Sequence, residues 1–381
     1  MTAALGQSDV QVIAHALRCP LGASAMQTAM AIRAGLRAPR PSRLMDSRHG
    51  SVVLGQVGLP DDRLGFDRFA ALGASVLGKL DRALLEPPVP LLLALPEAGR
   101  PDLDHRWGTV LLAEIAKQAG ITLDVERSAA FLTGHAAFAS ALGRGIELLR
   151  AGDASLRVVL VGGIDSYYHP EVVRWLEAEN RLCRPGSPDG LVPGEAAAVL
   201  ALSCTGVAPT PHARGAGPSF LGAGERERMP LATVCAVDVA RLGEPSARPP
   251  TPPETLDDEL PPEARATGAL LGRLIESCPQ TPLEWTLTDV NGEARRVREW
   301  TVAWQEQRRP GARHDRPADY LGDVGAASGP LCVALAASYW QAQCAPSSSV
   351  LVALHSDGPA RGALVLQAPR PERLQRRGAS S

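Results

Sequence analysis

The chain has 381 residues, enough to bury a large core, and that length suggests two domains or two fused halves. Its formal net charge of −2 offers no bulk attraction to nucleic acid or to an acidic membrane surface. The seven cysteines are scattered and form no C-x-x-C pair, so neither a zinc site nor a dithiol motif is supported, and no metal or cofactor is expected.

Lys79 and Lys117 are the only lysines, and beside abundant Ala, Gly and Pro the arginine excess reads as a compositional bias rather than a phosphate-binding signature. The opening "MTAALGQSDVQVIAHALRCP" lacks a basic segment followed by an unbroken apolar run, so it is a poor signal peptide. No stretch approaches the roughly 18 apolar residues of a membrane span. A cytoplasmic protein with reduced thiols, in a bacterial-type cell, is the expectation.

In chain order, "VQVIAHAL" (10–17) predicts a strand and "AMQTAMAIRAGL" (25–36) a helix. "HGSVVLGQVGL" (49–59) and "VPLLLALPE" (89–97) predict strands, with a helix over "FDRFAALGASVLGKLDRALL" (66–85) between them. "DHRWGTVLLAEIAKQAG" (104–120) has helical spacing and closes on a glycine. "TGHAAFASALGRGIELLRAG" (133–152) predicts a helix opening on Thr133-Gly134-His135, and "VVLVGGIDS" (158–166) a buried strand ending in a tight glycine turn. "LVPGEAAAVLALSC" (191–204) places a glycine turn before a strand. "GEPSARPPTPPETLDDELPPEA" (243–264) is too proline-rich for the core and predicts a loop; the basic tail (368–381) predicts disorder. Strands alternating with helices indicate an α/β fold.

The halves resemble each other. "GHAAFASALGRGIELLRAG" followed by "RVVLVGGIDS" recurs in outline as "GAASGPLCVALAASYWQAQ" (325–343) followed by "SVLVALHSDG" (349–358), an offset of about 190 residues. Duplication of one α/β half would produce this pattern, with halves at 1–204 and 205–367.

The sequence resembles the β-ketoacyl synthases, the condensing enzymes of the thiolase fold. "CPLGASAMQTAMAIRAGLRAP" is similar to the family's opening. "LLRAGDASLRVVLVGGIDSYYHPEVVRWLEAENRLCRPGSPDGLVPGEAAAVLAL" (148–202) carries the most specific likeness, with a G-G-x-D-S turn, a helix, and a D-G-x-x-P-G-E stretch. "YLGDVGAASGPLCVALA" (320–336) resembles the later A-A-G helix start. The resemblance implies a thiolase-like fold, two pseudo-repeated α/β halves in alternating helix and sheet layers, and a dimer pairing an edge strand, for which "GITLDVERSAAFL" (120–132) is the candidate.

It also implies a cysteine nucleophile at a helix N-terminus and two histidines. Carried over, the nucleophile falls on His135, the first histidine on Asn291 in "VNGEARRVREW", and the second on Asp323 in "LGDVGAASG". All three catalytic side-chain types are replaced. An imidazole at His135, held near neutral by the helix N-terminus, is a weaker thioester nucleophile than a thiolate. Cys183 sits in an Arg-flanked polar segment and Cys332 inside a helix, so neither replaces it. In the family's terms Glu195, with Gly194 before it, satisfies backbone groups around the site, and Asp165 ties down the glycine turn.

Three functions follow. The resemblance points first to a non-catalytic accessory protein, a pseudoenzyme that binds an active synthase or a secretion effector, with a homodimer expected. A divergent acyltransferase, decarboxylase or hydrolase working through His135 is the second. An acyl-chain, acyl-CoA or acyl-carrier-protein sensor is the third. No G-x-S-x-G, Walker A or H-E-x-x-H motif supports a grafted hydrolase, NTPase or metalloprotease.

Overall fold

The computed structural model describes residues 10–369, except 87, 105–106, 154, 206–229, 244–260, 308 and 310. The predicted 243–264 loop and 368–381 tail therefore lie mostly outside the described residues. Pro262 already opens a helix at the loop's end, where proline is tolerated because the first-turn N–H has no helical partner.

Ten strands form one sheet. The first set comprises β1 (Val10–Arg18), β4 (Leu91–Ala94), β5 (Ala129–Phe131), β6 (Val159–Ser166) and β7 (Glu195–Cys204). The second comprises β8 (Ala232–Arg241), β9 (Trp285–Thr288), β10 (Arg313–Asp315), β11 (Ser349–His355) and β12 (Ala360–Gln367). The order is β10-β9-β11-β12-β8-β1-β7-β6-β4-β5, so each set repeats the other's plan outward from the β1–β8 contact. That contact is short and antiparallel, Gln11 facing Thr233 and Val12 facing Ala232. On each side the two outermost pairings are parallel and the inner ones antiparallel.

Helices α4 (Ala137–Arg150) and α9 (Ser328–Gln341) lie in the middle and touch strands of both sets. α9 is buried without a break from Ser328 to Ser338, as expected for a helix apolar on all sides. Each Leu or Val buried there stabilises the fold by about 1.5–3 kcal/mol. α2 (Gly65–Leu77) and α3 (Trp107–Ala119) cover the first strand set, while α6 (Pro262–Ser277) and α7 (Ala294–Glu306) cover the second. α1 (Ala25–Arg33) rests on α9 and β1. A hairpin of β2 (Arg40–Met45) and β3 (Ser51–Leu54) packs with α5 (Pro170–Ala178) in a separate small core. α8 (Ala318–Leu321) precedes the turn into α9.

Several expectations are corrected. The 66–85 helix stops at Leu77, and only a 3₁₀ turn at Arg82–Leu84 follows. The 49–59 strand shrinks to β3. The 120–132 strand shrinks to β5, which ends the sheet on one side. The Gly162-Gly163 pair is no turn but lies within β6. A Cβ on Gly163 would collide with the carbonyl oxygen of Ala326, so glycine here lets the turn before α9 press against the strand.

Among the described residues, no helix is long and apolar enough to cross a membrane.

Candidate functional site

α4 and α9 both begin with a 3₁₀ turn, Gly134–Ala136 and Gly325–Ala327, rather than directly on the helix. Their glycines take left-handed φ values of 71° and 51°, a conformation that disfavours other residues. Two cross-links hold these turns. Asp165, at the end of β6, accepts from the Ala326 N–H at 2.8 Å, and Ser356, after β11, accepts from the Ala136 N–H at 2.9 Å. Asp165 therefore anchors the start of α9, not its own strand's glycines, and its second oxygen accepts from Arg100 at 2.5 Å.

His135, Asn291 and Asp323, from three distant segments, meet in one buried cluster. His135 Nε2 lies 2.8 Å from Asp323 Oδ1, which also accepts from the Gly325 N–H at 2.8 Å. Asn291 Nδ2 donates to Asp323 Oδ2 at 2.5 Å. Asp323 is itself set by the P-G-E segment: its N–H donates to the Val192 carbonyl at 2.7 Å, Pro193 bridges to it, and Gly194 lies against its backbone.

Sequence reasoning missed the charges around this core. Arg296 on α7 is fully buried, 2.7 Å from Asp357 and 3.4 Å from both Asp289 and Glu293. Its Nη2 is 3.5 Å from His135 Nδ1. Arg181 joins Glu293 and Asp357, and Arg295 joins the same two carboxylates nearer the solvent. His355 Nδ1 is 2.7 Å from Asp289. The signals were present in "NGEARRVREW" and "HSDGPARG", but charged residues in polar segments normally mark a solvated face.

Four carboxylates (Asp289, Glu293, Asp323 and Asp357) thus face three guanidiniums and two imidazoles. The guanidiniums leave one carboxylate to be matched by an imidazolium. Burial alone would lower the His135 pKa, but the Asp323 carboxylate overrides it and holds the imidazole above its ordinary value. Burial opposes the charged form of Asp323 too, yet His135, Arg296 and Asn291 hold its carboxyl well below the usual range. The expectation of a near-neutral His135 is therefore corrected, because the carboxylate at 2.8 Å outweighs the helix N-terminus.

The Asp323 carboxylate that raises the His135 pKa also disfavours the neutral imidazole, the form that could attack a thioester. Nε2 is committed to Asp323 and Nδ1 faces Arg296. The loop amides nearby are also taken: Ser356 N–H donates to the Ala360 carbonyl and Gly358 N–H to Glu97 at 2.8 Å. Cys332 lies within buried α9, its thiol pushed up by burial and by Asp289. Cys183 is half-buried on the segment after α5.

Glu195 sits at the start of β7, where its carboxylate accepts from Arg68 at 2.6 Å, Ser166 Oγ at 2.6 Å and the Val57 N–H at 2.7 Å. Both side chains of the Arg68–Glu195 pair are fully buried. Among the described residues, no group of three or more His, Cys, Asp or Glu could hold a metal ion.

No family model matches the sequence, and no curated protein matches it. Solved structures match it closely in fold. A chain from a type II polyketide synthase ketosynthase in complex with its acyl-carrier protein aligns with a TM-score of 0.70 at 14% identity, covering 96% of this chain and 100% of that one. The ishigamide ketosynthase/chain length factor gives 0.68 at 14% identity, covering 96% and 100%. The ketosynthase from module 6 of the bacillaene synthase of Bacillus subtilis gives 0.68 at 13% identity, covering 95% and 72%. The fold is that of the ketosynthases, the thiolase-like architecture expected from the sequence.

Proposed function

We propose that this ketosynthase-fold chain is non-catalytic and acts by binding a protein partner. One observation carries the reading: His135 is buried with Nε2 held by Asp323 and Nδ1 walled off by Arg296, inside a cluster of matched charges which contains no thiol. A side chain fixed in this way serves stability rather than nucleophilic attack. The partner class we favour is an acyl-carrier protein or a companion synthase, supported by neighbours that include a ketosynthase bound to its carrier protein and a ketosynthase/chain length factor. A secretion effector is the other partner class that fits a non-catalytic accessory subunit. The edge strand β5 is the proposed pairing surface of a dimer, since it closes the sheet on that side.

Intact-mass spectrometry after incubation with acyl-CoA, malonyl-CoA and their carrier-protein forms tests the absence of chemistry. The expected result is no covalent adduct and no thioester loss above the buffer rate. An adduct or turnover that disappears in His135→Ala overturns the reading in favour of a divergent acyl-thioester enzyme. Light scattering at micromolar concentration tests the β5 surface: a dimer is expected, and a monomer that also fails to join carrier protein or synthase removes it.

A further inference from the structure

Residues 36–53, which form the loop after α1 and the β2–β3 hairpin, carry four arginines, one aspartate, and no lysine or glutamate. All four arginines (Arg37, Arg40, Arg43 and Arg48) are exposed, in a chain whose formal net charge is −2. The carboxylates around the hairpin are already committed. Asp46 accepts from the Arg48 and Gly50 N–H groups at 2.9 and 2.6 Å and so closes the hairpin's own turn. Glu177 accepts from the Ser47 hydroxyl at 2.8 Å and pairs with Arg184 at 2.6 Å. Asp61 pairs with Arg43 at 2.8 Å. Arg37, Arg40 and Arg48 have no carboxylate partner among the described residues.

The same segment leaves apolar surface bare. Leu44, Val52 and Leu54 turn inward to the small core shared with α5, so strand alternation sends Arg43, Met45 and Val53 to the outer face. Met45 is 59% exposed and Val53 43%, and Leu36, just before the hairpin, is 56% exposed. Among the described residues, three of the eight large apolar side chains left exposed therefore fall in this short segment, beside its arginines. One such side chain needs no explanation, but a group of them rimmed by charge marks a contact surface.

The composition selects the partner. Arginine and methionine are enriched at protein interfaces, where lysine and glutamate are depleted. A guanidinium fork also matches a carboxylate in geometry. No aromatic residue occurs in 36–53, so the face lacks both the stacking platforms of nucleic-acid binders and the ring anchors of membrane-interface proteins. The hairpin belongs to a different sheet from β5.

We infer that the outer face of the β2–β3 hairpin, Met45 and Val53 ringed by Arg37, Arg40, Arg43 and Arg48, docks a protein partner that presents an acidic face around an apolar centre. The inference rests on the partner-binding reading above and adds to it where the partner sits and what charge it carries.

Binding of an acidic apo acyl-carrier protein to the full chain is measured by interferometry at about 50 and 300 mM salt. The expected result is a saturable complex that weakens severalfold at the higher salt. Arg37→Glu combined with Arg48→Glu should weaken it at least about tenfold, because attraction becomes like-charge repulsion. Met45→Ser should weaken it at least about threefold at either salt, through loss of an apolar contact. Arg157→Glu combined with Arg298→Glu makes the same change in net charge at exposed arginines outside the hairpin, and should leave the affinity within about twofold. All these positions are exposed, so the variants keep the fold. Binding that the hairpin variants leave intact, or that the control pair weakens as much, overturns the inference and leaves the partner-binding reading standing. Failure of the carrier protein to bind the wild-type chain overturns the inference and the carrier-protein reading together. Binding to phosphatidylglycerol vesicles without binding to the carrier protein also overturns it, and assigns the face to a membrane surface.

Discussion

Replacing Asp323 with Asn changes almost no volume, so its effect isolates the buried charge. The carboxylate accepts three hydrogen bonds, from His135 at 2.8 Å, the Gly325 N–H at 2.8 Å and Asn291 at 2.5 Å. An amide whose oxygen faces His135 and Gly325 turns its NH₂ onto the Asn291 NH₂, donor against donor. One hydrogen bond to a charged group, worth about 1.5–3 kcal/mol, is then lost, and two others fall from charged to neutral strength. The sum is about 3–5 kcal/mol, the range found when one partner of a buried ion pair is removed. Urea denaturation near pH 6, followed by tryptophan fluorescence, measures it. A second variant, His135→Ala, completes a double-mutant cycle in which the two losses should be less than additive by more than 1 kcal/mol or so. The pH dependence has a definite sign. The raised His135 pKa gives a contribution fully present below the ordinary histidine value of about 6.5 and lost as pH climbs through the folded value. The depressed Asp323 pKa gives one present above about 3.9 and lost as pH falls through the folded value. The gap between wild type and Asp323→Asn should therefore be widest between about pH 4 and 6.5 and narrow in more alkaline buffer. A loss below about 1 kcal/mol at pH 6, or a gap that widens with pH, would refute the charge-matched cluster.

Glu195→Ala should cost about 3–5 kcal/mol in the same assay, because it strands the fully buried Arg68 guanidinium; Arg68→Met with Glu195→Gln should recover most of that. Gly163→Ala should destabilise by about 1–3 kcal/mol in thermal melts, since the atom its Cβ meets is the Ala326 backbone and not a side chain that can swing aside. In native alkylation read by peptide mass, Cys332 should stay unlabelled until the protein unfolds, while half-buried Cys183 reacts; early labelling of Cys332 would contradict the solid packing of α9.

The long periodic elements were legible in sequence because each satisfies its own local rule: β1, α3 and the run from α4 into β6 all lie where the pattern placed them. Misreadings arose where a residue's reason is tertiary. Gly162-Gly163 carries the local signature of a turn, but β6 needs those glycines for the approach of another segment. β2 was missed because Arg40-Pro41-Ser42-Arg43 has neither alternation nor β-branched residues; it is a strand through its pairing with β3. Three members of the buried cluster, His135, Asn291 and Asp323, could be named from a family pattern. Arg296 and Asp357 could not, since nothing local distinguishes a guanidinium that will be sealed in from one that will face water.

The paired clasps at the helix starts have a consequence for how the chain folds. Asp165 holds the Ala326 amide, and Ser356 holds the Ala136 amide, so each strand set closes the other's helix start. Neither can complete its own central helix alone, and each alone would leave α4 or α9 uncovered on one side. Separately expressed segments split after Cys204 should therefore remain molten or aggregate. The intact chain should lose both sides in one transition, with the two central helices exchanging their amide protons at the same rate as the whole molecule opens.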